Sequence, residues 1–146
     1  MRKAILLLTV IALASAAQAQ LPFLSKRGPA QPVVQGIDAL RADFAAQSGG
    51  TTVYFGNDNS VLGMPARTML TAQAAWLRRH PEVVVRVEGY GDSGDTRDHA
   101  LAVGARRAEE ARAYLVLLGV PAAQVSTSSW GKERPGLGRA ITVLVR

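Results

Sequence analysis

The sequence predicts a two-layer α+β domain in the order βαβαββ, with a small sheet and helices packed on one of its faces. Three observations predict it. Segments at 51–55, 83–88, 125–130 and 140–145 are rich in β-branched and aromatic residues or alternate apolar with polar. Two longer stretches between the first three segments repeat apolar residues every three or four positions, the period of a helix. Strands separated by helical crossovers in this way imply a sheet with helices laid on it.

Composition sets the bounds. At 146 residues, with 48% apolar and 19% charged, the chain has room for one globular domain. It has no cysteine, which excludes a disulfide framework, a thiolate zinc site, a cysteine nucleophile and a lipid-bearing N-terminal cysteine. Aromatics at 5% argue against stacking platforms for single-stranded nucleic acid.

Residues 1–19 read as an export signal: basic Met1-Arg2-Lys3, an apolar run at 4–14, and small Ala17 and Ala19 before a cleavage point after Ala19. The run falls short of the roughly 20 apolar residues that a membrane span needs. A mature chain with no transmembrane segment, exported to a bacterial periplasm, is therefore expected. The net charge of +6 drops by two without Arg2 and Lys3. A modest positive excess names no partner, and nucleic acid is not expected for an exported chain.

Residues 20–36 carry Pro22, Pro29 and Pro32 with Lys26 and Arg27, and read as a tether. A short helix is predicted over 37–46 from Ile37, Leu40 and Phe44, closed by Gly49-Gly50. The boundaries are thus 1–19 for the signal, 20–48 for the tether plus short helix, and 49–146 for the domain. Thr51-Thr52-Val53-Tyr54-Phe55 is the first strand and Gly56-Asn57-Asp58-Asn59-Ser60 a turn. Pro65 suits the first turn of a helix, which Met69, Leu70, Ala74 and Leu77 carry to Arg78, Arg79 and His80. Positive charge favours that end, and Pro81 stops it.

Val83, Val85 and Val87 mark one face of the second strand, and residues 89–94 read as a Gly-rich loop. A long helix follows over about 97–118, ended by Gly119 and Pro121. Residues 125–130 form the third strand. Ile141, Val143 and Val145 alternate in the fourth.

The loop and long helix carry the candidate chemistry. On a wheel of roughly 100° per residue, Leu101, Gly104, Ala105, Ala108, Ala111 and Leu115 share a broad face. Arg106 points away from it, while Arg107 and Ala100 lie at its edge. Arg107 can therefore reach a groove beside the loop that holds Asp92. Asp95 or Thr96 can cap the helix, whose first N–H groups attract carboxylates. Together these make a bipolar clamp for a zwitterionic group, with Arg gripping a carboxylate and Asp an ammonium. The plain alternative is an Asp that caps its turn and an Arg paired locally.

Val53-Tyr54-Phe55, Ala74-Ala75-Trp76-Leu77, Val87-Glu88-Gly89-Tyr90-Gly91-Asp92, Arg106-Arg107-Ala108, Tyr114-Leu115, Gly119-Val120-Pro121 and Trp130-Gly131-Lys132-Glu133-Arg134-Pro135 occur in an order and spacing that resemble the OmpA-like domain. That domain is shared by outer membrane protein A and the peptidoglycan-associated lipoprotein. The resemblance covers residues 49–146. It implies non-covalent binding of peptidoglycan through the diaminopimelate of its stem peptide, Asp92 holding the amine and Arg107 the carboxylate. It also matches Arg139 to a second arginine, and the helix start at Thr96 completes the expected set. The chain departs from the family in Ala100, where Asn is usual, in Tyr90, where His is usual, and in a short stretch after Pro135. It carries neither a lipid-bearing Cys nor a β-barrel sequence. These departures motivate a competing expectation, an envelope protein–protein interaction module that has lost the ligand.

Nothing calls for a cofactor. His80 and His99 stand nineteen residues apart with no Cys, so a metal site is not expected. Residues 126–129 (Ser-Thr-Ser-Ser) lack a base, so no serine nucleophile is expected. Trp76 and Trp130 read as packing residues. The glycines around Asp92 are not followed by the Lys-Ser/Thr of a phosphate loop. No convergent acid, base or metal set supports an enzyme.

Overall fold

The computed structural model describes residues 36–134 and 138–146. The export signal at 1–19, the tether at 20–36 except Gly36, and the short stretch at 135–137 lie outside the described residues. The elements run α1 (Ile37–Ser48), β1 (Thr52–Tyr54), α2 (Met64–Arg79), β2 (Val85–Tyr90), α3 (Arg97–Leu117), a 3₁₀ turn (Ala122–Gln124), β3 (Val125–Gly131) and β4 (Arg139–Leu144). The four strands form one sheet in the order β1-β4-β2-β3. β4 runs antiparallel to both neighbours, and β2 and β3 are parallel across the α3 crossover.

The helices close over a core in which Leu70, Trp76, Leu77, Val85, Val87 and Leu115 are wholly buried. Burying each such side chain contributes about 1.5–3 kcal/mol. α1 packs on α2 and belongs to the same core. Phe44 meets the edge of Trp76 at 5.1 Å between ring centroids, and the indole N–H donates to Asp43 at 2.7 Å. The α1 C-cap, Gly49, adopts φ 72°, the left-handed turn that only glycine enters without strain.

The position of α3 is set by close backbone approach. A Cβ on Gly89 would overlap the carbonyl of Gly104, and one on Gly91 would overlap the backbone of Ala100. α3 can therefore settle directly on the end of β2 because both positions lack a side chain. That contact rotates the helix relative to the expected wheel. Ala105 is exposed, and the buried stripe is Ala100, Val103, Gly104, Arg107, Ala108, Ala111 and Leu115. Arg107 thus lies inside the stripe, not at its edge. Arg106 is exposed as expected.

Two strand readings are also corrected. β2 continues through Gly89 and Tyr90, which the Gly-rich composition places in the loop, and the bulge lies in the facing strand β3, where Trp130 is the extra residue between the partners of Gly89 and Tyr90. In β4 the buried set is Ala140, Thr142 and Leu144, not the expected Ile141, Val143 and Val145 alternation. Both sets have period two, so periodicity alone could not choose the face. Register chooses it: Ala140 lies opposite Gly89 and is buried, while Arg139 and Ile141 on the other face are half-buried. Thr142 satisfies its buried hydroxyl by donating to Gln73 Oε1 at 2.7 Å.

Candidate functional site

The ends of β1 and β2 and the start of β4 meet at one end of the sheet. The Phe55 N–H donates to Gly138 O at 2.7 Å, and the Gly91 N–H to Gly131 O at 2.9 Å. Asp92 leaves β2 at this junction, just past the bulge. Arg107 reaches it from α3, one turn beyond the Gly104 contact.

The two side chains do meet. Arg107 Nη1 donates to Asp92 Oδ1 at 3.1 Å, and Nη2 lies 3.4 Å from Oδ2. The rest of the guanidinium is taken up by backbone carbonyls. Nε donates to Asn59 O at 2.8 Å, Nη1 to Tyr90 O at 2.7 Å and Nη2 to Gly56 O at 2.8 Å. All five N–H groups are therefore used, as a charge with no solvent exposure requires. The expected open notch between Asp92 and Arg107 is not what the structure shows. The 56–60 turn covers the arginine with its own carbonyls, and the pair is closed.

Asp92 is the accessible half, with its side chain 20% exposed. Its Oδ2 also accepts the Asp58 N–H at 2.7 Å. Burial alone would raise the Asp92 carboxyl, but the Arg107 hydrogen bond, the Asp58 amide and the Arg107 charge outweigh it. They hold the group below the usual carboxylate range.

The other two expected residues are not on the ion pair. Thr96, rather than Asp95, is the N-cap of α3, and its hydroxyl accepts the His99 N–H at 3.3 Å. Arg139 begins β4 opposite Tyr54, and its guanidinium lies 5.1 Å from the centre of the Tyr90 ring. Tyr90 donates its hydroxyl to Glu88, so Arg139 sits with the Glu88 group on the sheet face away from the helices. Ala100 is wholly buried against Gly91.

Sequence reasoning missed three contributors from the 56–60 turn: the carbonyls of Gly56 and Asn59, and the amide of Asp58, which has φ 45°. Backbone groups leave no residue-type signal. Only the run of turn-forming residues at 56–60 hinted at them. His99, set aside in the sequence, lies 2.7 Å from Asp58 Oδ1 and 3.7 Å from Asp95 Oδ2. A separate groove of about 350 Å³ between the α2 approach and α3, lined by Val61, Arg67, Glu110 and Tyr114, includes none of the expected site residues.

The model of the OmpA family matches residues 54–140, from β1 through the start of β4. The chain belongs to the OmpA family. This OmpA-family chain is 42% identical over 86 residues to the peptidoglycan-associated lipoprotein of Agrobacterium fabrum, covering 59% of this chain and 49% of the relative. It is 41% identical over 99 residues to that of Pseudomonas aeruginosa, covering 68% and 58%. The chain spans about half the length of the curated relatives it matches. Among solved structures, the peptidoglycan-associated lipoprotein of Burkholderia pseudomallei superposes with a TM-score of 0.64 at 31% identity, covering 66% of this chain and 92% of that one. The C-terminal domain of Helicobacter pylori MotB, at 19% identity and a TM-score of 0.60 over 65% of this chain and 84% of that one, shares the fold. No helix among the described residues of this OmpA-family chain is long and apolar enough to cross a membrane.

Proposed function

We propose that this OmpA-family chain is a non-catalytic module of the periplasm, peripheral to the outer membrane, that binds peptidoglycan non-covalently through the diaminopimelate of its stem peptide. The observation that carries the reading is the Asp92–Arg107 pair, a carboxylate edge open to solvent and backed by a buried guanidinium. The names of the relatives, peptidoglycan-associated lipoproteins, support the polymer as ligand.

Asp92 takes the ligand ammonium on its exposed edge. The ligand carboxylate reaches Arg107 as the 56–60 turn lifts its Gly56 and Asn59 carbonyls, exchanging neutral acceptors for a charged one, which makes the stronger hydrogen bond. The N–H groups at the α3 start near Thr96 add a second attraction for an anion. Arg139 lies beside Tyr90 on the opposite face of the sheet and is not part of the binding group.

Co-sedimentation of the purified protein with isolated sacculi tests this. Wild type pellets and is released by diaminopimelate, whereas Asp92→Asn and Arg107→Ala stay in the supernatant. Equal pelleting of wild type and both variants would reject the mechanism.

A second reading has one observation in its favour. Arg107 is already fully satisfied by its own chain, which suits an envelope protein–protein interaction module that no longer binds the wall. Absence of sacculus binding by wild type, together with capture of a defined envelope protein, would favour it.

A further inference from the structure

Three metal-ligating groups converge where the β1–α2 turn meets the start of α3. His99 Nε2 is 2.7 Å from Asp58 Oδ1 and 3.7 Å from Asp95 Oδ2. The three ligand atoms lie within 4.8 Å of one another. Asp95 lies just before the Thr96 cap and His99 in the first turn of α3, so the two come from the same end of the helix. Asp58 arrives from the facing turn, fixed by its left-handed backbone and by the bond from its N–H to Asp92.

A second observation is independent of that convergence. Asp95 Oδ2 is shielded from solvent and has no hydrogen-bond donor. The imidazole nitrogen at 3.7 Å is beyond hydrogen-bond reach. A buried carboxylate oxygen without a donor is costly, and a cation placed between it and the imidazole would remove that cost.

We propose that Asp58, Asp95 and His99 bind a divalent transition-metal cation of the zinc class. Two carboxylates and a neutral imidazole balance a dication. The imidazole selects zinc, nickel or copper over calcium and magnesium, which prefer oxygen alone. Tetrahedral ligands about 2.0–2.2 Å from a zinc ion are about 3.3 Å apart. The observed 2.7 and 3.7 Å bracket that spacing. Metal entry therefore opens the Asp58–His99 contact and draws Asp95 in, each by about half an ångström. The positive end of α3 opposes a cation, and Asp98 in its first turn offsets this. With three protein ligands, a fourth position is left for water or a carboxylate. Because the Asp58 amide bonds Asp92, the metal would also fasten the turn that lays its carbonyls on Arg107.

The geometry has a metal-free explanation, an imidazole hydrogen-bonded to Asp58 with Asp95 close by, and the experiment separates the two. Untagged protein is titrated with Zn²⁺ and with Ca²⁺ by calorimetry, alongside His99→Gln and Asp95→Asn, with circular dichroism confirming that each variant is folded. Co²⁺ absorption provides a second readout on wild type. The expected result is one Zn²⁺ per chain, weakened at least about tenfold in either variant and not displaced by equimolar Ca²⁺, with Co²⁺ ligand-field bands that His99→Gln abolishes. Absence of Zn²⁺ binding by wild type, or binding of the same affinity and stoichiometry in both variants, would overturn the assignment. The outcome is independent of sacculus binding, so it can fail while the peptidoglycan reading stands.

Discussion

Two arginine–carboxylate pairs border β2, one on each side of the sheet, and they are built on opposite principles. On the helix side, Arg107 is wholly buried, and three of its partners are backbone carbonyls from the 56–60 turn and the end of β2. On the outer face, Arg86 is 38% exposed and donates to a buried Glu88, which also accepts the Tyr90 hydroxyl. The first pair depends on the path of the chain, the second on side chains that can be exchanged one at a time. A guanidinium that holds backbone holds a loop in place. One that holds a side chain adjusts a surface.

Arg107→Ala strands Asp92 and three carbonyls at once and should cost about 3–5 kcal/mol, read as a lowered denaturation midpoint with an unchanged slope. A loss below about 1 kcal/mol would show that the turn holds without it.

Asp92→Asn keeps the shape but removes the charge, and should cost about 1–3 kcal/mol. Its effect also depends on pH. The Asp92 carboxyl is held below the usual range in the folded chain, so its stabilisation is complete above the unfolded value of about 3.9 and is lost as pH falls through the folded one. The gap between wild type and Asp92→Asn in thermal melts should therefore close as pH falls below about 4. A gap that stays constant down to the acid transition would mean that charge is not what Asp92 contributes.

Glu88→Gln on the outer face should cost only about 1 kcal/mol. Burial first, then the Glu88 hydrogen bond and charge, raise the Tyr90 hydroxyl above its ordinary value. In the variant, spectrophotometric titration of Tyr90 should therefore move only part of the way back. A full return would assign the shift to Glu88 alone.

How much of this was legible in the sequence follows from the range of the forces involved. The strands and helices are local patterns, and Pro65, Gly49 and Gly119 mark helix ends within about two residues. Asp92 and Arg107 were legible because both lie in one strand–loop–helix unit, fifteen residues apart. The burial of Arg107 was not, because it depends on carbonyls 48 and 51 residues away in sequence. The face of β4 was hidden for a related reason: Ala140 is chosen by Gly89 across the register, not by its own neighbours. His99 gains Asp58 from 41 residues away, a meeting that no spacing rule anticipates.

The most direct test of the central claim, that the closed Asp92–Arg107 pair opens to a zwitterion, is nitrogen-15 NMR of the Arg107 guanidinium and the Asp58 amide during titration with diaminopimelate. The account predicts saturable shifts of both signals, absent in Asp92→Asn. Signals that stay fixed while the protein still pellets with sacculi would contradict it, because the wall would then be held at another surface.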